Sequence, residues 1–104
     1  MELSAIASVP EVRSVVLCDP SGALLDSVRE GDPESVAAVV GFLHSSLGQL
    51  GDELGLGPLY RLSVAGASRA ELVLFLGESV LSAVIESPAA FPAVERAIDT
   101  LLQG

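Results

Sequence analysis

The sequence predicts an α+β domain: a five-stranded antiparallel sheet flanked by helices, in the element order αββαβββα. Three observations carry this. Five short segments rich in Val and Leu are punctuated by turn residues, the pattern of strands. The joins within the first pair and the last three are short, which demands antiparallel neighbours, and the one long crossover reads as a helix. The length, 104 residues and 10.6 kDa, suits one domain over residues 1–104 rather than two, so helices and sheet must share it.

The elements follow in order. Leu3 and Ile6 share one face of a short opening helix that Pro10 brings to an end. Val12–Cys18 is a strand, and Asp19-Pro20-Ser21-Gly22 after it suits a type I turn, with Pro at the position whose φ it presets and Gly last. Ala23–Val28 returns as the hairpin partner. Asp32 is placed to cap a helix that has Pro33 in its first position. Val36, Val39, Val40, Leu43, Leu47, Leu50 and Leu54 then keep helical spacing, and Gly51, Gly55 and Gly57 mark the exit. Leu59–Val64, Glu71–Leu76 and Val80–Ile85 form a meander with turns at Gly66-Ala67-Ser68 and Gly77-Glu78-Ser79. Pro88 and Pro92 introduce a last helix lined by Phe91, Val94, Ile98 and Leu101.

Two strands declare their places in the sheet. Leu72–Leu76 is apolar on both faces and belongs inside, with helices above and below. Leu59–Val64 alternates Tyr60, Leu62 and Val64 with Leu59, Arg61 and Ser63, the pattern of a strand nearer an edge. Profilin-like and PAS-like domains share this order of elements.

Composition narrows the function classes. Half the residues are hydrophobic, only 18% are charged, and the mean hydropathy is +0.59. No apolar run approaches the roughly 20 residues a membrane-spanning helix needs, so a second subunit is the better cover for the excess apolar surface. Fourteen acidic residues against five arginines and no lysine give a net charge of −9 and a pI near 4.2. Such a surface repels nucleic acid and anionic lipid. A single cysteine, Cys18, excludes an intrachain disulfide framework. The opening Met1-Glu2-Leu3 has neither basic nor apolar leader character, and a cytoplasmic location is expected.

The central helix carries the strongest oligomer signal. Between Ser35 and Gly51 it contains no Asp, Glu, Lys or Arg, whereas a helix packed on one side of a monomer shows a charged outer face. Beside its Val/Leu stripe runs a second stripe of small residues, Ala37, Gly41, Ser45 and Gly48, with His44 among them. Helical glycine costs about 1 kcal/mol relative to alanine. Two glycines on one stripe therefore suggest close backbone packing, and we expect this stripe to meet its copy across a twofold axis. The Ala/Gly-rich composition by itself is the alternative.

The stretch Ile6-Ala7-Ser8-Val9-Pro10-Glu11-Val12-Arg13-Ser14-Val15-Val16-Leu17-Cys18-Asp19-Pro20-Ser21-Gly22 resembles the opening of the Roadblock/dynein light-chain family, in particular its bacterial MglB-like members. Those open with a short helix, a Pro-Gly-Val-like entry into the first strand and an Asp-x-x-Gly-like turn; Glu11 stands where the family usually has Gly. The order of the remaining elements is also similar. The resemblance implies a homodimer in which third strands pair and central helices lie side by side. Ala37, Gly41, His44, Ser45, Gly48, Tyr60, Arg61 and Leu62 are then the expected interface. It further implies regulation or anchoring of a small Ras-like GTPase without a catalytic residue of the chain's own, with Phe42, His44 and Gln49 as candidate partner contacts.

Catalytic chemistry finds no support in the residues. Without lysine there is neither a P-loop lysine nor a Schiff base. Gly51-Asp52-Glu53-Leu54-Gly55-Leu56-Gly57 has the wrong spacing for a dinucleotide fingerprint and reads as a helix exit. His44 is the only imidazole, and its helical neighbours Ser45 and Ser46 cannot face it as nucleophiles. Glu30, Asp32 and Glu34 suit the dipole of a helix start better than a metal. Cys18 reads as a structural thiol and Arg69 as a solvated hairpin residue. The expectation is a non-enzyme without metal or cofactor. A scaffold that pairs with a second Roadblock-type protein, and a PAS-like small-molecule sensor, are the alternatives.

Overall fold

A computed structural model describes residues 2–103. Its elements are α1 (Leu3–Ala7), β1 (Val12–Cys18), β2 (Leu24–Val28), α2 (Pro33–Glu53), β3 (Arg61–Ala65), β4 (Ala70–Phe75), β5 (Val80–Ile85) and α3 (Phe91–Gln103), with a single 3₁₀ turn at Pro88–Ala90 before α3. The five strands form one sheet in the order β2-β1-β5-β4-β3, antiparallel at every pairing. As its alternation predicts, β3 is an edge strand. β4 lies inside, with Leu72 and Leu74 buried towards α1 and α3 and Val73 buried towards α2.

The two faces are covered unequally. On one, Leu3, Ile6, Val15, Leu72, Leu81, Ile85, Val94 and Ile98 build the larger core beneath α1 and α3. On the other, Val16, Cys18, Ala37, Val40, Val73 and Val80 form a smaller one beneath α2. β1 meets α2 on this face, and β2 packs against it as well, so the helix lies towards the β1–β2 side. No helix among the described residues is long and apolar enough to cross a membrane.

Local chemistry explains the boundaries. The Asp32 carboxylate accepts from the Ser35 N–H at 3.4 Å, and Pro33 opens α2. In the β1–β2 turn the Gly22 N–H donates to the Asp19 carbonyl at 3.0 Å. One Asp19 carboxylate oxygen accepts from the Ser21 N–H at 2.9 Å, the Ser21 hydroxyl at 2.6 Å and the Ala23 N–H at 3.0 Å. The Ser21 hydroxyl, followed by the Ala23 N–H, holds this carboxyl below the usual range. β3 starts two residues later than its apolar pattern predicts. The Leu59 side chain packs beneath Gly51 instead of joining the sheet, and pairing begins where the Phe75 N–H donates to the Tyr60 carbonyl at 3.0 Å.

The segment joining α1 to β1 contains a backbone feature that the sequence only hinted at. Glu11 has φ +74°, in the left-handed region that favours glycine. A side chain there costs about 1–2 kcal/mol, part of which returns as lost chain entropy when glycine replaces it. Glu11→Gly is therefore expected to raise stability by about 0.5–1 kcal/mol, a shift of a few degrees in Tm. An unchanged or lower midpoint in thermal denaturation would show that the exposed Glu11 side chain contributes more than its backbone loses. Arg29, the other non-glycine residue at positive φ, donates its guanidinium to the carbonyls of Ala7, Val12 and Arg13 and so ties the end of β2 to α1 and β1.

Candidate functional site

The orientation of α2 decides which residues the protein offers to a partner. The buried face of the helix is formed by Ala37, Val40, Gly41 and Gly51. Ala37 is fully buried, and Gly41 sits directly on the β1–β2 turn. A Cβ at Gly41 would lie 2.5 Å from Gly22 Cα and 2.6 Å from Gly22 N. Ala37 and Gly41 therefore pack against the chain's own hairpin and are not available to a second copy. This corrects the expectation that they form a dimer contact. The glycine does serve a close backbone approach, but the approach is intramolecular.

The remaining expected contacts separate into three groups. Phe42, Ser45 and Gln49 are exposed on the outer side of α2, Phe42 at 71%. Gly48 and His44 are half-buried, and the His44 ring stands edge-on to Phe75 at 5.3 Å between centroids. On β3, Tyr60 is exposed, and Leu62 packs partly into the core beneath α2. Arg61 points to the opposite face, where its guanidinium pairs with Glu95 and, at 2.7 Å, with Asp99 of α3. Hydrogen bonds to Asp99 and then Glu95 push its pKa up. Arg61 clamps α3 to the edge strand, so its charge is already satisfied within the chain.

Burying the small residues rolls part of the apolar stripe outward. Val39 is 59% exposed, and Leu50 and Leu54 are exposed as well. Helical spacing sets them on one stripe with Val40, but only Val40 of that stripe is fully buried. With Val36, Val40 and Leu43, Val39 borders a groove of about 270 Å³ whose far wall includes Glu71 of β4. There the Ser82 hydroxyl donates to the Glu71 carboxylate at 2.6 Å. Val64, paired with Glu71 across the β3–β4 ladder, is 53% exposed. An apolar helix edge thus overlooks β4 and β3, and β3 has no strand on its outer side within the chain. A surface of this kind calls for protein cover.

Among the described residues no three His, Cys, Asp or Glu side chains are placed to hold a metal. Cys18 is buried, and its thiol pKa is raised by burial and then by the neighbouring Asp19, which keeps it protonated and unreactive. His44 contacts an aromatic ring and not a hydroxyl.

Comparison with known proteins agrees with the fold. No protein-family model matches the chain, and no curated protein matches it in sequence. Among solved structures, Myxococcus xanthus MglB superposes with a TM-score of 0.83 at 19% identity, covering 91% of this chain and 80% of the other. A Roadblock/LC7 domain from Streptomyces avermitilis gives 0.73 at 19% identity over 97% and 93% of the two chains. An MglB structure described as having a tetrameric arrangement gives 0.77 at 18% identity over 97% and 82%. The chain has a Roadblock/LC7, MglB-like fold.

Proposed function

We propose that this protein is a non-catalytic, homodimeric regulator or adaptor of a small Ras-like GTPase. The observation that carries the reading is the uncovered apolar edge of α2 beside the free strand β3, on a fold similar to MglB at a TM-score of 0.83. In this reading two copies pair along β3. The α2 edges, Val39, Leu43 and Leu50, close over the paired strands together with Val64. Tyr60 and Leu62 border that contact, Ser45 lies outside it on the small-residue side of the helix, and Phe42, His44 and Gln49 remain as part of the surface offered to the GTPase. The fold's occurrence in an MglB of tetrameric arrangement supports self-association as the general habit of such domains.

In this reading the regulatory act is binding, through the exposed apolar edge and the acidic surface. A net charge of −9 per chain favours a basic patch on the partner, with an association rate that falls as salt screens the field. Titration of the protein against candidate Ras-like GTPases loaded with GDP or with a non-hydrolysable GTP analogue tests the reading. Affinity is expected to differ about tenfold or more between the two states, equivalent to about 1.4 kcal/mol. Absence of binding in both states, together with tight binding to a second Roadblock-type protein, would replace it with a scaffold role.

A further inference from the structure

The last three turns of α2 run beyond the hairpin contact at Gly41 and stand over the loop that leads into β3. Beneath them is a cleft of about 260 Å³, lined by His44, Leu47, Gly48, Asp52, Leu59 and Phe75. Its position follows from a fixed local constraint. Gly51 is held against the loop, since a Cβ there would meet the Gly57 carbonyl oxygen at 2.8 Å, whereas at Gly48 a Cβ would meet nothing within 4 Å. The helix is thus pinned at Gly41 and Gly51 and open between them. By helical spacing, Gly48 and Asp52 lie across the axis from Val39 and Leu43. The mouth therefore stays open when the Val39 edge is covered.

Charge is segregated between the two ends of the sheet, and the cleft opens at the acidic one. The ends of β1 and β4 and the start of β5 lie together, because Cys18 and Phe75 both pair with Val80. Asp52 lines the cleft and Glu53 follows it at the end of α2, while Asp19 after β1 and Glu78 in the β4–β5 turn stand at the same end of the sheet. No arginine offsets them. Arg13, Arg29 and Arg69 belong to the opposite end of the strands, at the start of β1, after β2 and before β4. Arg61 turns to the far face to meet α3, and Arg96 is on α3 itself. The negative end of the α2 dipole points the same way, and the last turn of α2 has no basic residue to complement it.

We propose that this cleft docks a basic protein segment, with one apolar side chain of the segment inserted between His44, Leu47 and Phe75 and its flanking Arg or Lys residues over Asp52 and the neighbouring carboxylates. The cavity is smaller than the roughly 300–1,000 Å³ of sites that enclose drug-sized ligands, so a side chain is a better occupant than a free small molecule. An apolar anchor ringed by charge complementarity is also how binding energy concentrates at protein interfaces. The assignment is independent of the GTPase reading, since any partner carrying such a segment fits.

A random peptide library displayed on phage, selected on the wild-type protein and counter-selected on Gly48→Leu, tests it. Gly48→Leu fills the cleft from a position where a Cβ has open space, and its circular dichroism and Tm are checked first. The selected sequences are expected to share an aromatic or aliphatic residue flanked by Arg or Lys. A labelled consensus peptide should lose affinity about tenfold or more on Gly48→Leu, and several-fold on Asp52→Asn and on raising the salt. Should Gly48→Leu prove unfolded, Asp52→Asn and amide chemical-shift mapping of the bound peptide on the wild-type protein decide instead. No enriched consensus, a consensus without basic residues, or shifts that map to the Val39 edge would overturn the proposal. A GTPase titration that fails leaves these outcomes unaffected, so the two readings fail separately.

Discussion

Gly41→Ala is expected to lower the melting temperature by roughly 10 °C, although alanine is the better helix former. In the interior of α2 the change is worth about 1 kcal/mol in favour of alanine. Against that, the new methyl would lie 2.5 Å from Gly22 Cα, 2.6 Å from Gly22 N and 2.9 Å from the Ser21 carbonyl carbon. All three neighbours are backbone, so no side chain can rotate away. The turn itself is held by the Asp19 carboxylate and has Gly22 at φ +95°. Overpacking of this kind costs about 3 kcal/mol, leaving a net loss of about 2 kcal/mol. The larger Gly41→Leu should leave no folded chain. Gly48→Ala is the control: with open space at its Cβ it should gain up to about 1 kcal/mol. Thermal denaturation of the three variants reads the result. A neutral Gly41→Ala would mean that α2 is rotated and that the small stripe faces outward after all.

Val39→Asp is expected to convert the proposed dimer to a folded monomer. In the single chain Val39 is largely exposed at the rim of the groove beside Glu71, so the fold has little at stake there, within about 0.5 kcal/mol. In a dimer closed along this edge, each copy would place an unpaired carboxylate in an apolar contact already containing Glu71. Burying an uncompensated charge costs about 3 kcal/mol or more, which corresponds to a dissociation constant raised at least about a hundredfold. Sedimentation equilibrium at micromolar concentration reads the mass directly. Ser45→Asp, on the outer side of the small stripe, should leave the dimer intact. The reverse pattern, with Ser45→Asp dissociating the dimer and Val39→Asp not, would return the interface to the small-residue side.

The sequence by itself determined the features that depend on residues close together in the chain. The element order, the Asp32 cap with Pro33 and the Asp19–Gly22 turn are set by short-range hydrogen bonds and backbone preferences, and the structure has each of them. The inner place of β4 and the edge place of β3 were equally legible, because burial on both faces or on one leaves its period in the strand itself. The rotation of α2 was not. Its apolar and small stripes lie about a quarter-turn apart, and either could have faced the sheet. The choice rests on contact between Gly41 and Gly22, residues of different elements, so helical periodicity alone carries no record of it. The same holds for Arg61, whose pattern suits a free edge-strand cation but whose partners Glu95 and Asp99 come from α3. The cleft at the end of α2 likewise needs the loop after the helix to fold back beneath Gly51. Only the tertiary structure could decide which surfaces were spent inside the chain and which were left for a partner, because that depends on pairs of residues distant in sequence meeting at backbone distance.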